Sequence, residues 1–163
     1  MGKFYVAYGS NLNMKQMRYR CPTAKFVGSG VVEDYELQFK GALHGAHATI
    51  VPKEGACVPV GIWAIQKRDE KSLDIYEGYR EGCRSYYNKD QITVKMVDGQ
   101  RIQAMVYIMD CSMDFGNPAK GYYDTIYEGY ENCGLDTAVL DQAVERSMDQ
   151  AQIRMLQGEM RFV

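Results

Sequence analysis

The stretch ITVKMVDGQRIQAMVYIM, residues 92–109, constrains the fold more than any other part of the chain. Apolar and polar residues alternate on both sides of Asp98-Gly99, a dipeptide suited to a type I′ hairpin turn. A period of two puts successive side chains on opposite faces, so the segment predicts two antiparallel strands. YELQF (35–39) and AHATIV (46–51) alternate in the same way and predict further strands. KFYVAY (3–8) is a short apolar run fit for a buried strand. CVPVGIWAI (57–65) predicts another strand, whose proline favours an edge or a bulge.

Helical signals fall between and after these strands. NMKQMRYRC (13–21) predicts a short helix that Pro22 limits. DEKSLDIYEG (69–78) predicts a helix with Asp69 as N-cap and Gly78 as its stop. PAKGYYDTIYEGYENCG (118–134) opens on Pro118 and closes on Gly134, the expected helix punctuation. TAVLDQAVERSMDQAQ (137–152) is amphipathic, with Val139, Ala143 and Val144, or Leu140, Val144 and Met148, in register. Strands and helices do not alternate regularly, which argues against a parallel βαβ sheet. The expected fold is α+β, with a curved, mostly antiparallel sheet or barrel.

A length of 163 residues fits one domain, 1–163, with a real core. With 46% hydrophobic and 25% charged residues, disorder is not expected. A net charge of −2 and a pI near 5.7 argue against nucleic-acid or polybasic membrane contacts, which need clustered positive charge. The first apolar run is too short for a signal peptide or a membrane span. The cysteines at 21, 57, 83, 111 and 133 form no C-x-x-C pair, so buried reduced thiols in a cytoplasmic protein are expected.

The pentapeptide IYEGY occurs twice, at 75–79 and at 126–130. The surroundings differ, so the repeat reads as coincidence. Glu77 falls at the C-terminal end of a predicted helix, where the macrodipole opposes negative charge. That raises a carboxyl pKa, which suits a group acting as base and then acid. Glu128 shares a polar helix face with Asp124 and Asn132 and reads as solvated. YVAYGSNL (5–12) ends a predicted strand in residue types of a tight turn, which can aim successive N–H groups at an anionic oxygen. A plain helix N-cap explains Gly9-Ser10-Asn11 equally well. Ser10 lacks the G-x-S-x-G elbow of a nucleophile. His44 and His47 have no third ligand, so no metal site is expected. The 13 tyrosines fit core or cavity lining better than base stacking, since no basic groove accompanies them.

YVAYGSNL, ATIVPKEGACVPVGIW, LDIYEGY and NPAKGYYDTIYEG run in order from about Phe4 to Leu135 and resemble the motifs of the gamma-glutamylcyclotransferase-like family. The resemblance implies a small mixed β-barrel flanked by helices. It implies conversion of a gamma-glutamyl amine into 5-oxoproline and a free amine, with no cofactor. It places Glu77 on the catalytic glutamate of the L-D-x-x-E-G segment. It places Tyr8, Gly9, Ser10, Asn11 and Leu12 on the substrate loop, and Tyr107 and Tyr122 on two pocket tyrosines. Tyr87 matches a third, with the adjacent Tyr86 leaving that register open. Lys89 falls where many members carry a basic residue, and Ala119 replaces a commoner serine. The implied partner is a small-molecule gamma-glutamyl substrate. Some members pair, and nothing in the sequence decides whether this chain forms a homodimer.

The implied reaction is an intramolecular acyl transfer in which the substrate's own alpha-amine is the nucleophile. One carboxylate can take the proton and return it to the leaving amine. Backbone N–H groups of Gly9 to Leu12 could hold the oxyanion. The leaving amine stays open, from an amino acid to a lysine isopeptide or a larger protected metabolite. A non-catalytic binding domain is the remaining alternative. Specificity is expected at a rim near REGCRS (80–85) and MDFGN (113–117).

Overall fold

The computed structural model describes residues 2–158; residues 1 and 159–163, the ends of the expected 1–163 domain, lie outside the described residues. Strand β1 (Lys3–Ala7) leads through a single 3-10 turn, Ser10–Leu12, into helix α1 (Met14–Arg20). Two long strands follow, β2 (Lys25–Lys40) and β3 (His47–Ile65), then helix α2 (Lys67–Glu77). The hairpin of β4 (Tyr87–Met96) and β5 (Arg101–Met109) precedes helices α3 (Lys120–Asn132) and α4 (Thr137–Leu156). The strands close into a barrel in the order β1-β3-β2-β4-β5. Every pairing is antiparallel except the closing one, where β1 runs parallel to β5 with Tyr5 opposite Met105. The expected α+β barrel with flanking helices is the observed fold.

Three local expectations change. The two expected strands, 46–51 and 57–65, are one continuous strand, β3, which starts at His47. Its prolines, Pro52 and Pro59, pair with Tyr35 and Val31 of β2 and precede Gly61–Ile65, the part that β1 also pairs. A missing N–H is tolerated there because β3 has one ladder partner over that stretch. The β4–β5 turn is not type I′, since only Gly99 has a positive φ. Gly99 donates to the Met96 carbonyl and Met96 donates to the Gln100 carbonyl. The loop therefore has three residues, with the glycine in the left-handed position of a bulge. Finally, α2 starts two residues earlier than Asp69. Asp69 sits in its first turn, where its carboxylate accepts from the Gln66 N–H at 2.9 Å and from the Thr23 hydroxyl at 2.7 Å. It caps the helix from inside rather than from the N-cap position.

The core fills the barrel with Val6, Val58, Val60, Ile62, Val94 and Val106, all at most 1% exposed. Helix α4 covers β2 with Leu140, Ala143, Ser147 and Ala151, while Met148 is 45% exposed. The small side chains let the helix approach the strand, and the Ser147 hydroxyl accepts from the Phe39 N–H at 3.0 Å. A buried strand amide is thereby satisfied by the helix. This explains why a serine, and not the methionine of the expected stripe, faces inward.

The cysteine expectation holds for two of five. Cys21 and Cys133 are buried, whereas Cys57, Cys83 and Cys111 are exposed, and all are free thiols. Among the described residues, no helix is long and apolar enough to cross a membrane.

Candidate active site

A cavity of about 260 Å³ opens where β1 runs out into the 3-10 turn. Tyr8, Gly9, Ser10 and Asn11 line it from the turn, Glu77 from the end of α2, Tyr87 from β4, Tyr107 from β5 and Tyr122 from α3. Eight of the nine residues singled out in the sequence thus meet around one space. Leu12 does not. Its side chain is fully buried beneath the turn.

The turn decides which amides are free. The Leu12 N–H donates to the Gly9 carbonyl at 3.0 Å, and the Asn13 N–H to the Ser10 carbonyl at 3.1 Å. Leu12 therefore closes the turn and has no N–H to offer a ligand. The N–H groups of Gly9, Ser10 and Asn11 have no acceptor among the described residues. The helix cap that competed for this sequence falls one step later: Asn13 caps α1, its side chain accepting from the Gln16 N–H at 3.2 Å.

Helix α3 clamps the turn from behind. Asn13 Nδ2 donates to the Thr125 carbonyl and to the Glu128 carboxylate, each at 3.0 Å. The Met14 N–H donates to Asn132 Oδ1 at 3.0 Å. A Cβ on Gly129 would stand 2.7 Å from the Asn13 nitrogen and 2.7 Å from Leu12 Cβ, so only glycine lets the helix come this close. Glu128 is not a merely solvated residue: it sits at the positive N-terminal end of α1 and also pairs with Lys15 at 3.3 Å. The hydrogen bonds from Asn13 and Lys15 hold its carboxyl below the ordinary range.

Glu77 is the last residue of α2. Gly78 follows with φ 67°, and Tyr79 N–H returns to the Asp74 carbonyl at 2.8 Å, which ends the helix sharply. Burial pushes the Glu77 carboxyl up to about 7, opposed by the nearby Arg20 charge. Burial is a cause that the helix-end argument did not include. It follows from aiming a side chain at a space walled by tyrosine rings.

Most of those tyrosines spend their hydroxyl groups on the framework. Tyr8 donates to the Tyr107 carbonyl at 2.7 Å, and Tyr87 to the Ala48 carbonyl at 2.5 Å. Tyr107 donates to Asp74 at 2.5 Å. Lys89 explains its basic character here: it pairs with Asp74 at 2.9 Å and with Glu70 at 2.6 Å, tying α2 to β4. Two hydroxyls differ. Tyr122 accepts from the Ala48 N–H at 2.9 Å, and Tyr5 accepts from Asn11 Nδ2 at 2.9 Å. Neither donates to an acceptor among the described residues, so each keeps a proton to offer the cavity. Burial raises both hydroxyl pKa values above the ordinary range.

Sequence reasoning missed Tyr5, His47 and Tyr76, which also line the cavity, and left the choice between Tyr86 and Tyr87 open. Tyr86 and Tyr87 both contribute. Tyr87 is buried, and the more exposed Tyr86 stands at the mouth beside His47, 3.4 Å from ring nitrogen to hydroxyl. Burial lowers the His47 pKa, leaving the ring neutral near pH 7. The mouth is thus formed by His47, Tyr76 and Tyr86. REGCRS and MDFGN do not line it. Arg84 of the first is paired with Asp110, and Phe115 of the second bridges to Lys40 at the end of β2. The alternation of YYN at the entry to β4 signals one inward tyrosine, but no local pattern signals Tyr76. Among the described residues, no three His, Cys, Asp or Glu side chains gather as a metal site would need.

A family model described as "Gamma-glutamyl cyclotransferase, AIG2-like" matches residues 5–129. Gamma-glutamylcyclotransferase of Mus musculus is 31% identical over 138 residues, which cover 80% of this chain and 71% of that protein. The protein of the same name from Bos taurus is 30% identical over the same shares. A solved structure titled gamma-glutamyl cyclotransferase superposes with a TM-score of 0.78 at 26% identity, covering 88% of this chain and 86% of its own. A crystal structure of an uncharacterized human protein superposes at 0.77 with 28% identity, covering 87% and 86%.

Proposed function

The chain belongs to the gamma-glutamyl cyclotransferase, AIG2-like family, and from that membership we propose that it converts a small gamma-glutamyl amine into 5-oxoproline and a free amine, with Glu77 as the proton-transfer group. The observation that carries this reading is the pairing within one cavity of a carboxyl raised to about 7 with three uncommitted backbone N–H groups.

The chemistry asks for little else. The alpha-amine of the glutamyl group attacks its own gamma-carbonyl, forming the ring C–N bond. Glu77 takes the proton from that amine. The bond to the leaving nitrogen then breaks, and Glu77 returns the proton to it. Atoms and charge balance without a further reactant. A carboxyl titrating about 7 is present in both forms near neutrality, as a base that must later act as an acid should be. The carbonyl oxygen, negatively charged at the tetrahedral stage, meets the amides of Gly9, Ser10 and Asn11. One well-aimed donor of this kind is worth roughly 3 kcal/mol.

Shape supports the same assignment. A flexible glutamyl chain must fold back on itself before its amine reaches its carbonyl, and a tyrosine-walled cavity favours compact conformers. The leaving amine then points to the mouth at His47, Tyr76 and Tyr86. Incubation with gamma-glutamyl amino acids, glutathione and gamma-glutamyl-lysine, with 5-oxoproline as the readout, tests the proposal. Release from at least one of these is expected. A purified, folded protein that yields none is a binder and not a cyclotransferase.

A further inference from the structure

Arg20 has no role in the reaction as described, yet it touches both halves of the site. It is the last residue of α1. Its Nη1 donates to Asn11 Oδ1 at 2.6 Å and lies 3.4 Å from the Ser10 hydroxyl. Its guanidinium carbon stands 3.1 Å from the centre of the Tyr76 ring. Tyr76 immediately precedes Glu77, and Ser10 and Asn11 carry two of the three free amides. Arg20 makes no ion pair with a carboxylate among the described residues. An arginine whose planar guanidinium stacks on an aromatic ring while Nη1 is held by Asn11 is a rigid bracket, which a lysine cannot reproduce.

We propose that Arg20 is a positioning residue that fixes the turn of Gly9 to Asn11 relative to the helix end bearing Glu77, through Tyr76. The inference deepens the cyclotransferase reading and rests on it for its kinetic half. Asn11 is the joint between the two sides. Its Oδ1 is held by Arg20 and its Nδ2 donates to Tyr5, so the amide orientation that frees the Tyr5 proton for the cavity depends on Arg20. The stack on Tyr76 fixes a half-exposed ring next to the proton-transfer group.

The charge has a second consequence. The titratable groups facing Glu77 are Tyr5 from β1 and Tyr8 just after it, His47 from β3, Tyr76 beside it on α2, Tyr86 and Tyr87 at the start of β4, Tyr107 from β5 and Tyr122 from α3. Burial leads the hydroxyls of Tyr5, Tyr8, Tyr86, Tyr87, Tyr107 and Tyr122 to titrate above their ordinary range, and leaves His47 neutral near pH 7. Lys89 lies one layer out, engaged with Glu70 and Asp74. Arg20 is then the charged group that acts on Glu77, and it acts downward.

Two variants separate bracket from charge. In R20Q, nuclear magnetic resonance of the Glu77 carboxyl carbon should show titration moved to higher pH. Amide exchange at Ser10 and Asn11 should be faster. With gamma-glutamyl-alanine as substrate, kcat should fall by about 10-fold or more while KM changes by less than about 3-fold. In R20K, the charge remains, so Glu77 should titrate near its wild-type position, yet kcat should stay low. If R20Q does not fold, R20K alone carries the test. An R20Q protein with unchanged titration and unchanged exchange overturns the proposal, as does full recovery of kcat in R20K. Titration and exchange need no substrate. A wild-type protein that releases no 5-oxoproline therefore sinks the activity while the role of Arg20 is still decided.

Discussion

Glu77 turns its carboxyl into the cavity, while Glu128, in the same five-residue context, turns its carboxylate to Asn13 and Lys15. The difference lies in the glycine that follows. Gly78 adopts φ 67° and ends a helix, so the side chain before it projects beyond the last turn. Gly129 stays helical, and its missing Cβ admits the backbone of Leu12 and Asn13. Both copies therefore bear on the 3-10 turn, one across the cavity and the other from beneath it.

Exchange of the two glutamates for glutamine should separate these roles. Glu77→Gln keeps the shape and removes proton transfer, so kcat should fall by roughly 10²-fold or more. Glu128→Gln loses the ion pair with Lys15 but can still accept from Asn13 through its amide oxygen. It should lower the melting temperature slightly and leave turnover near wild type. Steady-state assays of both variants on one substrate check the assignment. Equal losses in the two would remove Glu77 from its role.

The raised carboxyl of Glu77 also fixes two pH dependences. Activity needs the ionised base, so kcat/KM should climb through a limb with an apparent pKa about 7. Stability should move oppositely. A folded pKa above the unfolded value near 4.5 means that the folded protein holds this proton more tightly. That contribution is complete below the unfolded pKa and is lost as pH rises through about 7. Glu77→Gln should therefore unfold at a higher temperature than wild type at pH 8, by at most about 3 kcal/mol in stability. At pH 4 the two should coincide. Thermal melts at both values decide it.

Gly129→Ala should be destabilising although alanine is the better helix former. The propensity gain is about 1 kcal/mol. Against it stands a Cβ 2.7 Å from two atoms of the turn, one of them backbone, which neither side can relieve by a rotamer change. Overpacking of this kind costs about 1–3 kcal/mol. Urea unfolding should show a net loss, and turnover should drop because the displaced atoms adjoin the free amides. A variant as stable and active as wild type would mean that α3 does not press on the turn.

Lys89→Met tests the ties behind the cavity. Lys89, 19% exposed, pairs with Glu70 and Asp74, and removing it leaves Asp74 with only the Tyr107 hydroxyl among these partners. A loss of about 1–3 kcal/mol is expected at neutral pH, the cost of leaving a part-buried acceptor unpaired. Burial alone would raise the Glu70 carboxyl, but hydrogen bonds from Lys89 and Lys3 outweigh it and hold the carboxyl below its ordinary range. Its contribution exists above the unfolded pKa and disappears as pH falls through the folded one. The cost of Lys89→Met should therefore shrink in acid, as urea titrations at pH 3 and pH 7 can show.

The parts of this fold written in short periods were legible. The β4–β5 hairpin follows from alternation, the ends of α2 and α3 from Gly78 and Gly134, and the barrel class from the absence of regular βα alternation. Interactions across long separations were not. Nothing local announces that Arg20 will stack on Tyr76, or that Glu128 will serve the N-terminus of α1. The polar face of Asp124, Glu128 and Asn132 was visible, but a polar face reads the same whether water or a helix end covers it. Pro52 and Pro59 hid a single 19-residue strand, because tolerance of proline depends on which neighbour a strand lacks. Leu12 failed for a third reason: its N–H is consumed by the same turn that frees those of its neighbours, a matter of φ and ψ rather than residue type.

The clamp on the 3-10 turn gives the chain an order of completion. In a growing polypeptide the turn precedes its clamp: Asn132, which accepts from the Met14 N–H, is added 118 positions after Met14. At cellular speeds of about 5–20 residues per second, the interval lasts roughly 6–24 s. The four strands β2 to β5 are synthesised within it, β1 having come before, since β5 ends at Met109 and α3 begins only at Lys120. A nascent chain can therefore hold every strand of the barrel while the turn still lacks its brace. The brace of the reactive centre is thus made after every strand of the barrel, although the turn that it holds is made before four of them.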